Sequence, residues 1–402
     1  MWRMSKLVIK ILILLLLLPV GGFAFEYKEL KELKKCVKTS NIGKGRELIN
    51  KCLKDTLINC NAQFYALAAA IEIKANDSEN MKLYLRQNYD TASFFNTTCN
   101  IFEYLLKQES LLEESNSKEK AKVQKRNRET LKAYYPNLYS GGIFFVKNKK
   151  WESAQRLLSM YIDVTRSASF ENEKYITYTR LPRAAFWSMT ACYEAKLYKD
   201  VFKYCDIAEE DSANFDYVLQ YESLSYAQLA DTARYVSSLK RGLEKSSSSD
   251  FFFSRLTDLF NEMSRYQEAI SLNDSLLAIY PDNKLYLYAQ TVALFNIKAY
   301  DKCLGYAQKL YDADSTNVQA CYYLGLCWYN KAISFESTLS PNPTSQEYRE
   351  MKKEVERMFQ RALPYFEKTR AVLPEDKDKW QAPLYKIYFS LNLADKLREL
   401  EK

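Results

Sequence analysis

The strongest constraint on this chain is a repeat. Tyr266-Gln267-Glu268-Ala269 and Tyr300-Asp301-Lys302-Cys303 open matching segments whose tyrosines stand 34 residues apart. The same step backward reaches Thr232, within Asp231-Thr232-Ala233, and then Tyr198. Forward, the pattern resumes at Phe359, 59 residues after Tyr300, so that unit carries 25 extra residues; one further period reaches Leu393. Trp151 is another start, 47 residues before Tyr198. Sequences with a period of roughly 20–50 residues build stacks of supersecondary units, each burying its apolar face on its neighbours. Here the unit is helical. Nine glycines and nine prolines in 402 residues are too few for the turns of an all-β chain. The 47% apolar and 27% charged content is that of a globular protein.

At several of these points an aromatic is followed three positions later by a small residue. Trp151/Ala154, Tyr266/Ala269 and Phe359/Ala362 show this, and Tyr300/Cys303 shows it with cysteine as the small residue. Tyr198 holds the aromatic position of its own unit. Pro281 and Pro374 each fall 15 residues after such an aromatic. Leu324-Gly325 is followed by Trp328, an aromatic recurs at Trp380, and Gly141-Gly142 with Phe145 is a looser match to the same pattern. Small residues let paired helices approach closely, and aromatics fill the space toward the next pair.

At these positions, from about Leu131 to Lys402, the chain resembles the tetratricopeptide (TPR) repeat family, and in particular exported TPR-containing proteins of Bacteroides-type bacteria. The resemblance implies an all-α fold: a right-handed superhelical solenoid of antiparallel helix pairs, about six repeats plus a degenerate N-terminal helical region. The expected organisation is a leader at 1–24, degenerate hairpins and a long linking helix at 25–134, and the solenoid at 135–402. An insertion at about 332–356 extends the sixth repeat. There Pro341-Asn342-Pro343 forces a turn, and Thr344-x-x-Glu347 reads as a capping box opening a helix over Glu347–Lys368. Both helices of that repeat should stand proud of the array.

Residues 26–134 lack the lattice but keep helical spacing, as in Leu30, Leu33 and Val37. Helices are expected over Gln63–Lys74, Met81–Arg86 and most of Phe95–Lys132, with Gly43-Lys44-Gly45 a turn between helices. Met1–Ala24 reads as a secretory signal peptide: Arg3 and Lys6, then the apolar Leu7–Leu18, then Gly22-Phe23-Ala24 at the cleavage point. The apolar run is well short of the roughly 20 residues a bilayer span needs. The protein is therefore expected to be exported, periplasmic before secreted or surface-displayed, without an integral membrane segment after cleavage. Loss of Arg3, Lys6 and Lys10 lowers the net charge from +8 to +5, too mild for a nucleic-acid binder.

Nine cysteines are compatible with an oxidising compartment, and Cys36, Cys52, Cys60 and Cys99 are the candidates for one or two bridges. Cys192, Cys205, Cys303, Cys321 and Cys327 occupy positions suited to buried free thiols. The chain has no histidine, which removes the commonest general base and the usual zinc ligand. No G-x-S-x-G, nucleotide fingerprint or H-E-x-x-H occurs. No enzyme, cofactor or metal is expected. Five Asp-(Ser/Thr)-apolar triplets, Asp55-Thr56-Leu57 among them, look like the O-glycan acceptor of Bacteroides-type exported proteins, and equally like helix N-caps.

The remaining function is binding. A TPR array presents its first helices to a concave groove, which by motif counting includes Tyr139, Phe186, Tyr193, Tyr288, Phe295, Asn296, Gln319, Tyr322, Tyr329, Asn330, Tyr385 and Tyr388; of these Tyr288, Phe295, Asn296, Gln319, Tyr322, Tyr329, Asn330 and Tyr385 are the candidate partner-binding residues. Tyrosine combines apolar area with a polar tip, and Asn or Gln can bond an extended backbone. Lysine and arginine are sparse among them, so no clamp for an acidic C-terminus is expected. The expected role is a non-enzymatic scaffold or adaptor of the cell envelope holding a peptide or partner helix. The alternative is an exported glycan or small-molecule binding protein that uses the tyrosines as stacking platforms. A continuous aromatic run without a charged rim would favour the glycan.

Overall fold

The computed structural model describes residues 28–112, 117–171, 173–246 and 249–400. Met1–Ala24, read above as a signal peptide, lies outside them. The described residues form 19 α-helices and no strand. They divide into two compact units, one ending at Ser238 and the other beginning at Leu239.

The first unit contains α1 (Lys28–Thr39), α2 (Ile42–Cys52), α3 (Ala62–Tyr84), α4 (Thr91–Ser110), α5 (Ser117–Lys132), α6 (Tyr135–Lys147), α7 (Trp151–Arg166), α8 (Leu181–Glu194), the four-residue α9 (Cys205–Ala208) and α10 (Phe215–Gln228). α11 (Thr232–Lys245) carries the chain across the boundary. The second unit continues with α12 (Ser249–Glu262), α13 (Tyr266–Ile279), α14 (Lys284–Asn296), α15 (Tyr300–Ala313), α16 (Val318–Glu336), α17 (Gln346–Val372), α18 (Lys377–Ser390) and α19 (Ala394–Leu400). Within each unit consecutive helices pack on one another, so the fold is an all-α solenoid.

The repeat is written in the backbone. Helices α7, α11, α13 and α15 begin at Trp151, Thr232, Tyr266 and Tyr300, the positions the sequence period marks. The turns before them use a left-handed residue: Lys196, Ala230, Ser264 and Lys298 have φ of 56–61° and recur every 34 residues. Lys149 and Asn392 do the same in outlying pairs. None of these is glycine. Each lets the next amide reach back to the preceding helix, as Asp231 N–H does to Tyr226 O at 3.0 Å and Ala299 N–H to Leu294 O at 2.9 Å. This is the Schellman arrangement that satisfies a helix's last carbonyls.

The small residues lie where the helices cross. Ala154, Cys303 and Ala362 are wholly buried, and Ala269 nearly so. A Cβ on Gly142 would sit 2.5 Å from Leu158 Cγ, and one on Gly325 would sit 3.1 Å from Phe366, so both mark close approaches. Leu324 is buried beside Gly325, while Trp328 is half-buried against the same cluster, with Arg361 4.6 Å over its ring. Pro281 and Pro374 follow the ends of α13 and α17.

Several expectations need correction. The unit opened by Tyr198 has no regular second helix; Asp200–Tyr204 is a 3₁₀ turn running into α9. Its buried residues Val201, Tyr204 and Ile207 are spaced by three, which suits three residues per turn. Tyr198 nonetheless packs on Tyr193, ring centroids 5.6 Å apart. Phe359 lies inside the long α17 and does not open a helix. The cap of α17 is Ser345, whose hydroxyl accepts from Tyr348 N–H at 3.0 Å. Thr344 instead closes an Asx turn on Asn342. The two long helices of the extended repeat pack on each other, with Ala332 and Val355 buried in one cluster and Phe335 and Leu339 alongside.

In the N-terminal region the two expected helices merge into α3, and the expected long linking helix is two, α4 and α5. Gly43-Lys44-Gly45 forms the first turn of α2, with Asn41 as its cap. The N-terminal cysteines are free thiols, as are the other five. Cys36 and Cys52 lie in one cluster, Cys99 belongs to another, and Cys60 is exposed at the end of a 3₁₀ turn.

Candidate partner-binding surface

The eight groove candidates lie in the second unit, on three first helices of successive pairs: α14, α16 and α18. α14 and α16 are in direct contact. On α14, Tyr288 and Phe295 are two turns apart and project from one side. Both meet Tyr323 of α16, with ring centroids 6.0 and 5.5 Å away, and Phe295 also meets Tyr300 at 5.8 Å. Tyr323 touches Tyr322 at 5.6 Å. Tyr322 and Tyr329 then lean on Phe366 of α17, at 6.5 and 6.0 Å, and Tyr329 also on Phe359 at 5.9 Å. The result is an unbroken aromatic ladder from Tyr300 to Phe359.

Its members serve packing and surface at once. Tyr288, Phe295, Tyr322 and Tyr329 are all half-buried. Burial holds the phenols of Tyr322 and Tyr329 above their ordinary range and pushes that of Tyr323 up further, so all three remain neutral donors at physiological pH. The polar candidates divide. Asn296 is exposed at the end of α14, and Gln319 is half-buried in the first turn of α16. Asn330 donates to Leu326 O at 2.8 Å, folding its amide back onto its own helix. Tyr385 is 46% exposed and stands one turn from Phe389, which is 68% exposed, on α18. Phe186 and Tyr388 are core residues, at 5% and 2% exposure, and leave the groove set. Tyr388 is fixed by its hydroxyl on Glu367 at 3.2 Å. Tyr139, in the first unit, lies under the Arg180 guanidinium at 5.2 Å.

The motif count passed over Tyr323 and two lysines. Lys379 pairs with Asp376 at 2.6 Å, and Lys386 pairs with Glu336 at 2.9 Å, tying α18 to α16. Lys386 also stands 6.0 Å above the Phe359 ring. The hydrogen bond that Lys379 donates to Asp376 raises the ammonium's affinity for its proton. The signal was present: Lys379 and Lys386 are seven apart, as are Tyr322 and Tyr329. The surface is therefore aromatic with a charged rim, each cation matched by an acid. Among the described residues no cluster of ligating side chains could hold a metal, and no helix is long and apolar enough to cross a membrane.

No family model and no curated protein matches the chain. Solved structures do. A TPR repeats protein from Bacteroides fragilis is 16% identical, with 62% of this chain and 96% of that one covered at a TM-score of 0.33. Human IFIT1 with m7Gppp-AAAA is 14% identical over 81% of this chain and 71% of its own, at 0.36. A MamA double mutant is 14% identical over 46% and 93%, at 0.31. Likenesses this distant do not bear on function.

Proposed function

We propose that this protein is an exported, non-enzymatic TPR-type scaffold of the cell envelope that holds a peptide or partner helix against the first-helix face of its second unit. One observation carries the reading. The aromatic ladder spans consecutive helix pairs, and its edge toward α18 is rimmed by the matched pairs Lys379–Asp376 and Lys386–Glu336. Sugar rings stack on aromatic faces and need no such rim. A polypeptide offers side chains of both signs and backbone amides, and meets rings, carboxylates, ammoniums and neutral phenols together. Export is supported by the charged and apolar leader pattern of Met1–Ala24.

The test is cross-linking and enrichment of the chain from Phe25 onward in its own envelope extract. Alanine at Tyr322 or Tyr329 would disturb the α16–α17 packing, so the variant should combine Asn296→Ala, Tyr385→Ala and Phe389→Ala, all exposed. A protein enriched by wild type and lost with this variant supports the scaffold. Equal enrichment by both moves the site off this face, and enrichment by neither removes the case for a protein partner.

A further inference from the structure

The opposite side of α14 carries a second feature. Gln290 and Leu294 are one turn apart and point away from Tyr288 and Phe295. They floor a cavity of 460 Å³ whose walls are α13, through Ile270 and Asp274, and α15, through Lys302, Gly305, Tyr306 and Lys309. The cavity exists because α13 and α15 both pack on α14 but diverge from each other. Its volume falls in the range of small-molecule sites.

The two walls carry opposite charge. Asp274 accepts from Gln290 Nε2 at 2.7 Å, which fixes the carboxylate toward the floor. Gln290 is 1% exposed, and its Oε1 has no hydrogen-bond partner. A buried amide oxygen left this way is an unmet acceptor, which the great majority of buried polar atoms are not. Across the cavity, Lys302 and Lys309 stand seven residues apart on α15, about 10.5 Å along the axis. Neither forms an ion pair among the described residues; Lys309 rests 5.6 Å from the Tyr306 ring centre. Between the lysines, Gly305 removes a side chain where a Cβ would meet nothing within 4 Å. Ile270, Leu294 and Tyr306 supply an apolar patch.

We propose that this cleft binds a small zwitterion, an α-amino acid or a dipeptide, with its ammonium at Asp274 and its carboxylate between Lys302 and Lys309. A purely anionic ligand would meet Asp274 unfavourably, and a cation would face both lysines. An apolar side chain of the ligand lies on Ile270, Leu294 and Tyr306. This site is separate from the scaffold face and stands whether or not that face binds a protein.

The experiment is calorimetric titration of the full mature chain with leucine, with the dipeptide alanyl-leucine, and with its N-acetylated and C-amidated forms. One or both zwitterions should bind, and each blocked form should bind at least about tenfold more weakly. The tighter of leucine and alanyl-leucine identifies the class. Gly305→Leu fills the cavity at an exposed helical position. Because it replaces glycine inside a helix, the melting temperature should hold or rise while binding disappears. Lys302→Ala with Lys309→Ala should remove the discrimination against the amide. The proposal is overturned if neither zwitterion binds at millimolar concentration, if the blocked forms bind as tightly, or if folded Gly305→Leu keeps its affinity.

Discussion

At the residue scale the chain separates side chains that a composition treats alike. Seven of the nine thiols are buried, Cys205 is half-buried and Cys60 is exposed. Burial pushes the Cys99 and Cys192 thiols up to about 12, far from the thiolate that reacts. In the native protein one thiol should react with a disulfide reagent at once, Cys205 more slowly, and the rest only in denaturant. Fast titration of more than two would contradict this burial. Glu109 offers a pH test. It is 8% exposed, Asn127 donates to it at 3.0 Å, and burial raises its carboxyl above the ordinary 4.5. An acid with a raised folded-state value favours folding below its unfolded value, and loses that contribution as pH rises through the folded one. Glu109→Gln should therefore stabilise the protein at neutral pH, and the advantage should vanish below pH 4.5, as read by urea midpoints at both pH values.

At the element scale the recurrent device is the left-handed turn between paired helices. A non-glycine residue there costs roughly 1–2 kcal/mol, partly offset by the freedom glycine would have when unfolded. Ala230→Gly and Lys298→Gly should each stabilise by about 1 kcal/mol or somewhat less. Lys240→Gly, in the interior of α11, should instead lose about 1 kcal/mol. Thermal unfolding of the three variants checks the sign; the same sign at all three positions would refute the turn argument. The sequence marked where these second helices begin, because aromatic and small residues must recur to make the pairs pack. It did not show that Ser345 rather than Thr344 caps α17, since either hydroxyl is chemically able and only the path of the Pro341–Pro343 turn chooses.

Across the whole molecule, each unit has its own buried core: Leu157, Leu158 and Tyr161 among others in the first, Phe359, Phe366 and Leu384 in the second. Repeat arrays lose two-state behaviour when neighbouring segments differ in stability. Urea unfolding should then show separable transitions. Gly142→Val, whose added atoms collide with Leu158, should shift the transition of the first unit by about 1–3 kcal/mol and leave the second in place. Tryptophan fluorescence resolves the two when Trp151 and Trp187 are replaced in one sample and Trp328 and Trp380 in another. A common shift of both would show that they unfold together.

The sequence by itself determined the helical class, the 34-residue period, the starts of α7, α11, α13 and α15, and the small residues at helix crossings, because all of these follow from packing rules local to one pair. It also named four of the five tyrosine and phenylalanine rings that α14 and α16 contribute to the ladder. Tertiary structure alone decided the rest. Periodicity places Tyr322 and Tyr388 alike on first helices, but only the helices packed against them leave one half-exposed and seal the other. Lys379 and Lys386 joined the site through partners beyond α18, and Asp274, Gln290 and the two lysines of α15 came together because second helices of two successive pairs diverge around one first helix. Contacts between pairs depend on angles and separations that a repeat motif does not encode.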